Sequence, residues 1–309
     1  MPIALVTGGA GFIGSHLVRK LIETGWQVRV IDNLSTGMKE NLSGLRNHLE
    51  VLKGDLRDAA LVEKSLSGVE LIFHEAAFVS VPQSMEQPET CFDVNVRGTE
   101  ILLNAAKKAG VRRIVIASSA AVYGDNETFP LSEDLPTRCL SPYAASKNIN
   151  EIYAGLFTRS YGLEVTCLRY FNVFGPRQRP DSQYAAAIPI FIHRFLNDKS
   201  ITIYGDGRQT RDLIYIDDVI QANLIAAQHP AAPGQVFNIC SGNETRIIDL
   251  VEEVQDLFPH APQPVFAEPR PGDIYRSIGS PARAYKELGF RAATSLAEGL
   301  KVTVEWMRN

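Results

Sequence analysis

The residues best suited to chemistry are Tyr143 and Lys147, in the run Tyr143-Ala144-Ala145-Ser146-Lys147. A spacing of i and i+4 puts a phenol and an ammonium on one face of a helix. Pro142 suits a first helical turn, and the pattern predicts a helix from Pro142 to about Tyr161. A free tyrosine has a pKa of about 10, too weak a base at neutral pH. A cation beside it favours the phenolate, which can then take a proton from a sugar or alcohol hydroxyl. Ser118-Ser119 closes a predicted strand, Arg112 to Ala117. The carboxyl ends of strands in open α/β sheets face the ligand crevice, so a serine hydroxyl there can bridge the same substrate oxygen. Tyr and Lys at this spacing also arise by chance on solvated helical faces. The pair therefore needs a second motif.

That motif lies at the N-terminus. Ile3-Ala4-Leu5-Val6-Thr7 is an apolar run of strand length, Gly8-Gly9-Ala10-Gly11-Phe12-Ile13-Gly14 follows at once, and Ser15 to Thr24 reads as a helix. Gly8 and Gly11 permit backbone angles and a close approach that a Cβ would block, and Gly14 lets the helix pack tightly on the strand. The helix start offers free N–H groups and a positive dipole end to a diphosphate. Asp32 closes the next predicted strand, Gln27 to Ile31, eighteen residues past Gly14. At that distance its carboxylate can accept hydrogen bonds from an adenosine ribose. Strand, glycine turn, helix and acid together predict a dinucleotide site. A purely structural turn in another α/β fold is the alternative. The positive ring of an oxidised nicotinamide would join Lys147 in favouring the phenolate. Asp32 would repel a 2′-phosphate, so NAD is the expected cofactor, not NADP.

Strand and helix signals alternate through the first half. Strands are expected at 50–53, 70–73 and 164–168, and helices at 59–67 and about 89–109, with the run His74-Glu75-Ala76-Ala77 ending the strand before it. This predicts an α/β fold, a doubly wound parallel sheet of Rossmann-like form with helices on both faces. The alternation breaks after Asn172. Then come a helix near Pro189 to Leu196, short strands at 201–204 and 213–216 around Gly205-Asp206-Gly207, a helix from Asp217 to Gln228 capped by Asp217, and a strand at 235–239. The expectation is a dinucleotide-binding part at 1–172, with 213–240 returning to it. A smaller mixed α/β lobe would form from 173–212 and 241–309.

Bulk properties exclude several classes. A net charge of −4, from 31 basic and 35 acidic side chains, argues against a general nucleic-acid surface. Cys91, Cys139, Cys167 and Cys240 stand far apart with no C-x-x-C, which suggests reduced thiols of a cytoplasmic protein. The histidines show no metal-binding spacing, and no metal is expected. There is no basic, apolar leader and no apolar run near about eighteen residues, so no membrane partner is expected.

Thr7 to Gly14, Ser118-Ser119 with Val122-Tyr123-Gly124, Tyr143 with Lys147, and Arg169-Tyr170-Phe171-Asn172 occur in one characteristic order. Together they resemble the extended short-chain dehydrogenases/reductases, and within them the nucleotide-sugar epimerases, most of all the UDP-hexose 4-epimerases. The resemblance implies a catalytic group of Ser119, Tyr143 and Lys147. It implies that Phe12 and Ile13 lie along the NAD pyrophosphate beside Gly8, Gly11 and Gly14. Asp32, Asn33, Leu34, Ser35, Thr36 and Gly37 would hold the adenosine ribose, and Asp55 with Leu56 the adenine. Ala76 and Ala77 would line the nicotinamide side, Asn95 would hydrogen-bond within the cleft, and Phe171 would sit beside the nicotinamide amide.

On the substrate side the resemblance implies a UDP-sugar. Asn172 would contact the UDP, Tyr204 would lie by the uracil, Arg211 and Arg270 would grip the diphosphate, and Asp273 would bind the nucleotide ribose. Guanidinium forks suit a diphosphate. Ala186, with Ala187 beside it, and Ser277 would face the sugar. These small walls leave room for a C2 N-acetyl group, whereas Val79 stands where N-acetyl-preferring relatives tend to have glycine. Ala120-Ala121 occupies the place where related dehydratases carry an acidic pair and decarboxylating relatives a glutamate. The expectation is reversible 4-epimerisation of a UDP-hexose, with UDP-glucose and UDP-galactose first and their N-acetyl counterparts as extra substrates. The rivals are another superfamily enzyme, such as a UDP-uronate epimerase or a reductase, and a non-catalytic NAD-sensing protein. A homodimer is expected through the long helices beginning near Glu89 and Pro142, though each could also be internal.

Overall fold

The computed structural model describes residues 1–181, 186–269 and 274–308. The first half runs β1 (Ile3–Thr7), α1 (Phe12–Glu23), β2 (Gln27–Asp32), β3 (Leu49–Lys53), α2 (Ala59–Ser65), β4 (Val69–His74), α3 (Val81–Glu86), α4 (Pro88–Phe92), α5 (Gly98–Ala109), β5 (Arg113–Ser119), α6 (Pro142–Tyr161) and β6 (Glu164–Tyr170). These six strands and Val236–Ile239 form one parallel sheet in the order β3-β2-β1-β4-β5-β6 with Val236–Ile239 last. The order reverses between β1 and β4, and such a reversal opens a crevice at the strand carboxyl ends.

Both sheet faces are buried. Ala4 and Val6 of β1 pack with Leu17, Val18 and Leu21 of α1 and with the helix Ile216–Ala226. Leu5 between them packs on the other face, with Val62 of α2, Leu102 and Leu103 of α5, and Ala154 and Phe157 of α6. Strand residues alternate between faces, so a strand covered on both sides is apolar throughout.

Two expected helices differ in detail. The predicted helix at 89–109 is interrupted by a π turn, Asp93–Arg97, between α4 and α5. Such turns insert a residue and re-aim side chains, often at functional sites. The helix expected at Asp217 is Ile216–Ala226, and its capping residue is Tyr215, not Asp217. The strand Leu213–Tyr215 passes into it without a loop, so the strand's last residue takes the cap position and Asp217 falls in the first turn. There its carboxylate still faces the positive helix end.

Beyond β6 the strands pair in twos. Asn172–Phe174 pairs with Leu213–Tyr215, Thr202–Tyr204 with Val265–Ala267, and Thr210–Arg211 with Thr245–Arg246. Of the 213–240 stretch, the strand Val236–Ile239 adds to the main sheet, while Leu213–Tyr215 lies outside it.

Helix α6 is built to stay put. Ser141 caps it by accepting from the Ala144 N–H at 3.1 Å, Pro142 starts it, and Gly162 ends it at φ +71°. At Gly14 a Cβ would stand 2.9 Å from Gly9 Cα and closer still to the Gly8 oxygen. Backbone cannot give way cheaply there. Gly14→Ala is therefore expected to destabilise the protein by about 1–3 kcal/mol, as forced overpacking does. Urea denaturation would read it.

Candidate active site

The glycine turn is held in shape by Asp32. The Ala10 N–H donates to Asp32 Oδ2 at 2.9 Å and the Leu34 N–H to Oδ1 at 2.8 Å, so one carboxylate ties the turn to the end of β2. Gly8 has φ +67°, and a Cβ on it would lie 2.8 Å from the backbone of Ala76. A Cβ on Gly37 would lie 2.9 Å from both Asp32 carboxylate oxygens. The first-turn N–H groups of α1, from Phe12 to Gly14, have no acceptor within the helix. A cradle that side chains would fill, open N–H groups and an acid at its rim fit a dinucleotide.

Around Asp32 the residues expected at the adenosine are knitted together. Asn33 Nδ2 donates to Asp55 Oδ2 at 2.9 Å, the Ser35 N–H donates to Asn33 Oδ1 at 3.0 Å, and Arg179 Nη1 donates to the Thr36 carbonyl at 3.3 Å. Arg57 takes both Asp55 oxygens, at 2.8 and 2.9 Å, and holds that carboxyl well below the usual range. Leu56 is buried.

At the crevice, α6 meets β5. The Lys147 ammonium donates to the Ala117 carbonyl at 2.8 Å and lies 5.8 Å from the centre of the Tyr143 ring. Ser119 Oγ accepts the Ala121 N–H at 3.2 Å, and the Ser119 hydroxyl lowers the pKa of the Tyr143 phenol. The three expected catalytic residues thus converge from a strand end and one helix face. Burial pushes the Tyr143 phenol up to about 12, against the Ser119 hydrogen bond that pulls it down. Burial also pushes Lys147 down to about 8, opposed first by the Glu75 carboxylate. Lys147 alone therefore does not make Tyr143 a phenolate, because removing an anion from water costs more than this neighbour returns.

Behind the group lies a network that sequence reasoning missed. The Ala76 N–H donates to Thr7 Oγ1 at 3.2 Å, and Thr7 Oγ1 meets His74 Nδ1 at 2.7 Å. His74 Nε2 meets Thr99 Oγ1 at 2.8 Å, and that hydroxyl donates to the Asn95 carbonyl at 2.5 Å. One assignment satisfies every member: a neutral His74 with its proton on Nε2. Asn95 is delivered by the π turn. Its side chain accepts from the Phe78 N–H at 2.6 Å and donates to the Phe78 carbonyl at 3.1 Å and to Ser146 Oγ at 2.9 Å. Asn95 therefore braces the segment carrying Ala76 and Ala77 against α6. One turn past Lys147, Glu151 accepts from Ser118 Oγ at 2.5 Å and pairs with Arg169 at 2.7 Å, both side chains 6% exposed.

The substrate-side residues are partly gathered. Asn172 Nδ2 donates to the Asp212 carbonyl at 3.1 Å, and Arg211 Nη1 donates to the Thr210 and Ile274 carbonyls at 2.8 and 2.7 Å. Tyr204 is half-buried in the strand Thr202–Tyr204, Ala186 is exposed, and Ala187 and Ser277 are half-buried. Val79 is 59% exposed, so it does not wall off the cleft by itself. Arg270 and Asp273 lie outside the described residues. The Phe171 ring is buried with Val122, Tyr123, Leu131 and Cys240. Ala120 and Ala121 start a turn directly after Ser119. No cluster of potential metal ligands occurs among the described residues.

Residues 4–240 match the model of the NAD dependent epimerase/dehydratase family. The chain is 40% identical over 314 residues to a UDP-glucose 4-epimerase of Mycolicibacterium smegmatis, covering 99% of this chain and 98% of that one. It is similar to the UDP-N-acetylglucosamine 4-epimerase of Methanobrevibacter ruminantium, solved with UDP-N-acetylmuramic acid, at 39% identity and a TM-score of 0.96 over 99% of this chain and 98% of that one. It is also similar to the UDP-glucose 4-epimerase of Thermotoga maritima, solved with UDP-glucose, at 40% identity and a TM-score of 0.94 with the same coverage.

Burial lowers the His74 pKa to about 3 from its ordinary 6.5. The unfolded chain therefore binds a proton that the native state refuses. His74 contributes no loss above about pH 6.5, and stability falls as pH drops from there toward 3, by about 2 kcal/mol at pH 5. His74→Gln is expected to flatten the stability slope between pH 7 and pH 5, measured by denaturant unfolding at each pH.

Proposed function

The chain belongs to the NAD dependent epimerase/dehydratase family, and from that premise we infer that it interconverts UDP-hexoses at C4 of the sugar. The observation that carries this reading is Tyr143 and Lys147 on one face of α6, with the ammonium 5.8 Å from the phenol ring and held by the carbonyl of Ala117 near the end of the strand that Ser119 closes. Gly8, Gly11, Gly14 and the α1 start would hold the cofactor diphosphate, Asp32 its adenosine ribose, and Lys147 its nicotinamide ribose. Bound NAD supplies a hydride acceptor and, once reduced, a hydride donor. Tyr143 as phenolate takes the 4-hydroxyl proton while Ser119 orients that oxygen, and Tyr143 returns the proton after the 4-keto sugar has turned its other face. Arg211, with Arg270, holds the diphosphate while the sugar swings. The step needs a firm grip on UDP and a loose one on the hexose. Without an acid after Ser119, elimination and decarboxylation lack a proton handler.

The division of labour follows. Residues 1–172 with 213–240 hold the dinucleotide, and 173–212 with 241–309 hold the nucleotide sugar. Small side chains at Ala186 and Ser277 leave room at C2, so UDP-N-acetylhexosamines are substrates alongside UDP-glucose and UDP-galactose. The protein works as a cytoplasmic homodimer. In support, Met85, Phe92, Ile152 and Leu156 are exposed apolar side chains on α3, α4 and α6, which pack on one another. No helix among the described residues is long and apolar enough to cross a membrane.

The test is turnover without added cofactor on UDP-galactose, UDP-N-acetylgalactosamine and UDP-galacturonate. The first two are expected to epimerise, whereas activity on the third alone would move the reading to uronate epimerisation. Tyr143→Phe is expected to lower kcat about a thousandfold while UDP affinity, measured calorimetrically, is unchanged. Full turnover by that variant would falsify the role given to Tyr143. Ile152→Glu is expected to halve the mass seen by light scattering, because a charge cannot be buried unpaired in a helix interface.

A further inference from the structure

The segment 274–280 is a strap pinned on both sides of Ser277. Arg211 Nη1 donates to the Ile274 carbonyl at 2.7 Å, and the Thr210 N–H donates to the Tyr275 carbonyl at 2.9 Å. Arg276 takes both Glu244 oxygens, at 2.7 and 2.8 Å, and its guanidinium lies 4.6 Å from the centre of the Phe129 ring. The Leu131 N–H donates to the Ile278 carbonyl at 2.9 Å, and the Ser280 N–H to the Leu131 carbonyl at 2.8 Å. The Gly279 N–H donates to Asp212 Oδ2 at 3.1 Å. A Cβ on Gly279 would meet Phe171 Cζ at 2.6 Å and Cys240 Sγ at 2.7 Å, so the strap has no slack toward the core there.

Asp212 is the anchor that reaches furthest. It lies between the strands Thr210–Arg211 and Leu213–Tyr215 and is fully buried. Its carbonyl accepts the Asn172 N–H at 3.0 Å and Asn172 Nδ2 at 3.1 Å. Its Oδ1 accepts the Ser241 N–H and Oγ, each at 2.8 Å, and its Oδ2 the Gly242 and Gly279 N–H groups at 3.0 and 3.1 Å. Four donors use the full capacity of a carboxylate, and a substitute with fewer acceptors strands a buried N–H.

We propose that Asp212 is a positioning residue for sugar specificity: its main chain holds Asn172 beside Arg211 while its carboxylate holds the strap that carries Ser277, so it sets the space left at C2 of the sugar. The inference rests on the reading of Asn172, Arg211 and Ser277 as substrate-facing, and the proton transfer does not use it. The two tasks fall on different atoms. Changing the side chain loosens the strap and keeps the Asn172 bonds, which go to backbone. An N-acetyl group fills the space beside Ser277 and feels a displaced wall, whereas the hydroxyl of a plain hexose does not reach it.

Asp212→Asn keeps the size and turns one oxygen into an N–H2. Whichever way the amide lies, at least one N–H among Ser241, Gly242 and Gly279 loses its acceptor. Calorimetry on NAD-loaded protein that also carries Tyr143→Phe, so that no sugar turns over, reads the effect. Affinity for UDP is expected to stay within about threefold, while affinity for UDP-N-acetylgalactosamine falls about fivefold relative to UDP-galactose, the scale of one lost hydrogen bond. With Tyr143 intact, the ratio of kcat/KM for the two sugars is expected to move by the same factor. A merely structural role would weaken all three ligands alike, and an unmoved ratio overturns the proposal. Glu244→Gln weakens the surface pair with Arg276 and leaves the buried carboxylate alone. It is expected to shift the ratio the same way by about twofold, and it carries the test if Asp212→Asn does not fold. A shifted binding ratio in a protein that epimerises neither sugar supports the proposal and sinks the epimerase reading instead. Failure of the protein with native Asp212 to bind any of the three ligands overturns both.

Discussion

Helix α6 carries Lys147, Asn150 and Glu151 on the face it buries against β5 and β6, and each must find a partner where water is excluded. Lys147 takes the Ala117 carbonyl, Asn150 the Asn95 carbonyl at 3.0 Å, and Glu151 the Arg169 guanidinium and the Ser118 hydroxyl. A buried ion pair is weak evidence for stability, since a well-packed apolar pair of similar size often does as well. What it does fix is register. A helix sliding over β5 and β6 would break all three sets of bonds together, and Tyr143 and Ser119 would lose their common point. The catalytic geometry is thus a consequence of satisfying buried polar groups.

The same constraint explains the loops. The segment after β4 runs past the glycine turn, so close that Gly8 cannot carry a side chain. It is clamped by Thr7 from β1 and by Asn95 from the π turn. An isolated π turn is unfavourable, but here it aims Asn95 at Phe78 and Ser146 and frees backbone groups for Thr99 and Asn150. The segment after β4 is therefore tied to both β1 and α6. The part beyond β6 is built differently, from short strand pairs.

Electrostatics divide the work between protein and cofactor. The protein supplies a dry site in which neither Tyr143 nor Lys147 is comfortable as an ion. On the proposed reading of Tyr143 as the base, a phenol held high would stay protonated until the positive ring of the oxidised cofactor joins it.

Much of this was legible in the chain itself. The β1 apolar run, the glycine turn and Asp32 are local, and so is the i, i+4 spacing of Tyr143 and Lys147; short-range sterics and helix periodicity suffice to read them. The parallel sheet also follows from the βα alternation. What only the tertiary structure decided is where long-range polar partners meet. Thr7, His74 and Thr99 are separated by tens of residues, and Ser118, Glu151 and Arg169 come from two strands and a helix. The capping of Ile216–Ala226, the break at Asp93–Arg97, the burial of the Phe171 ring and the upward shift of the Tyr143 phenol all depend on which groups lose water, and a sequence does not say that until the elements are packed.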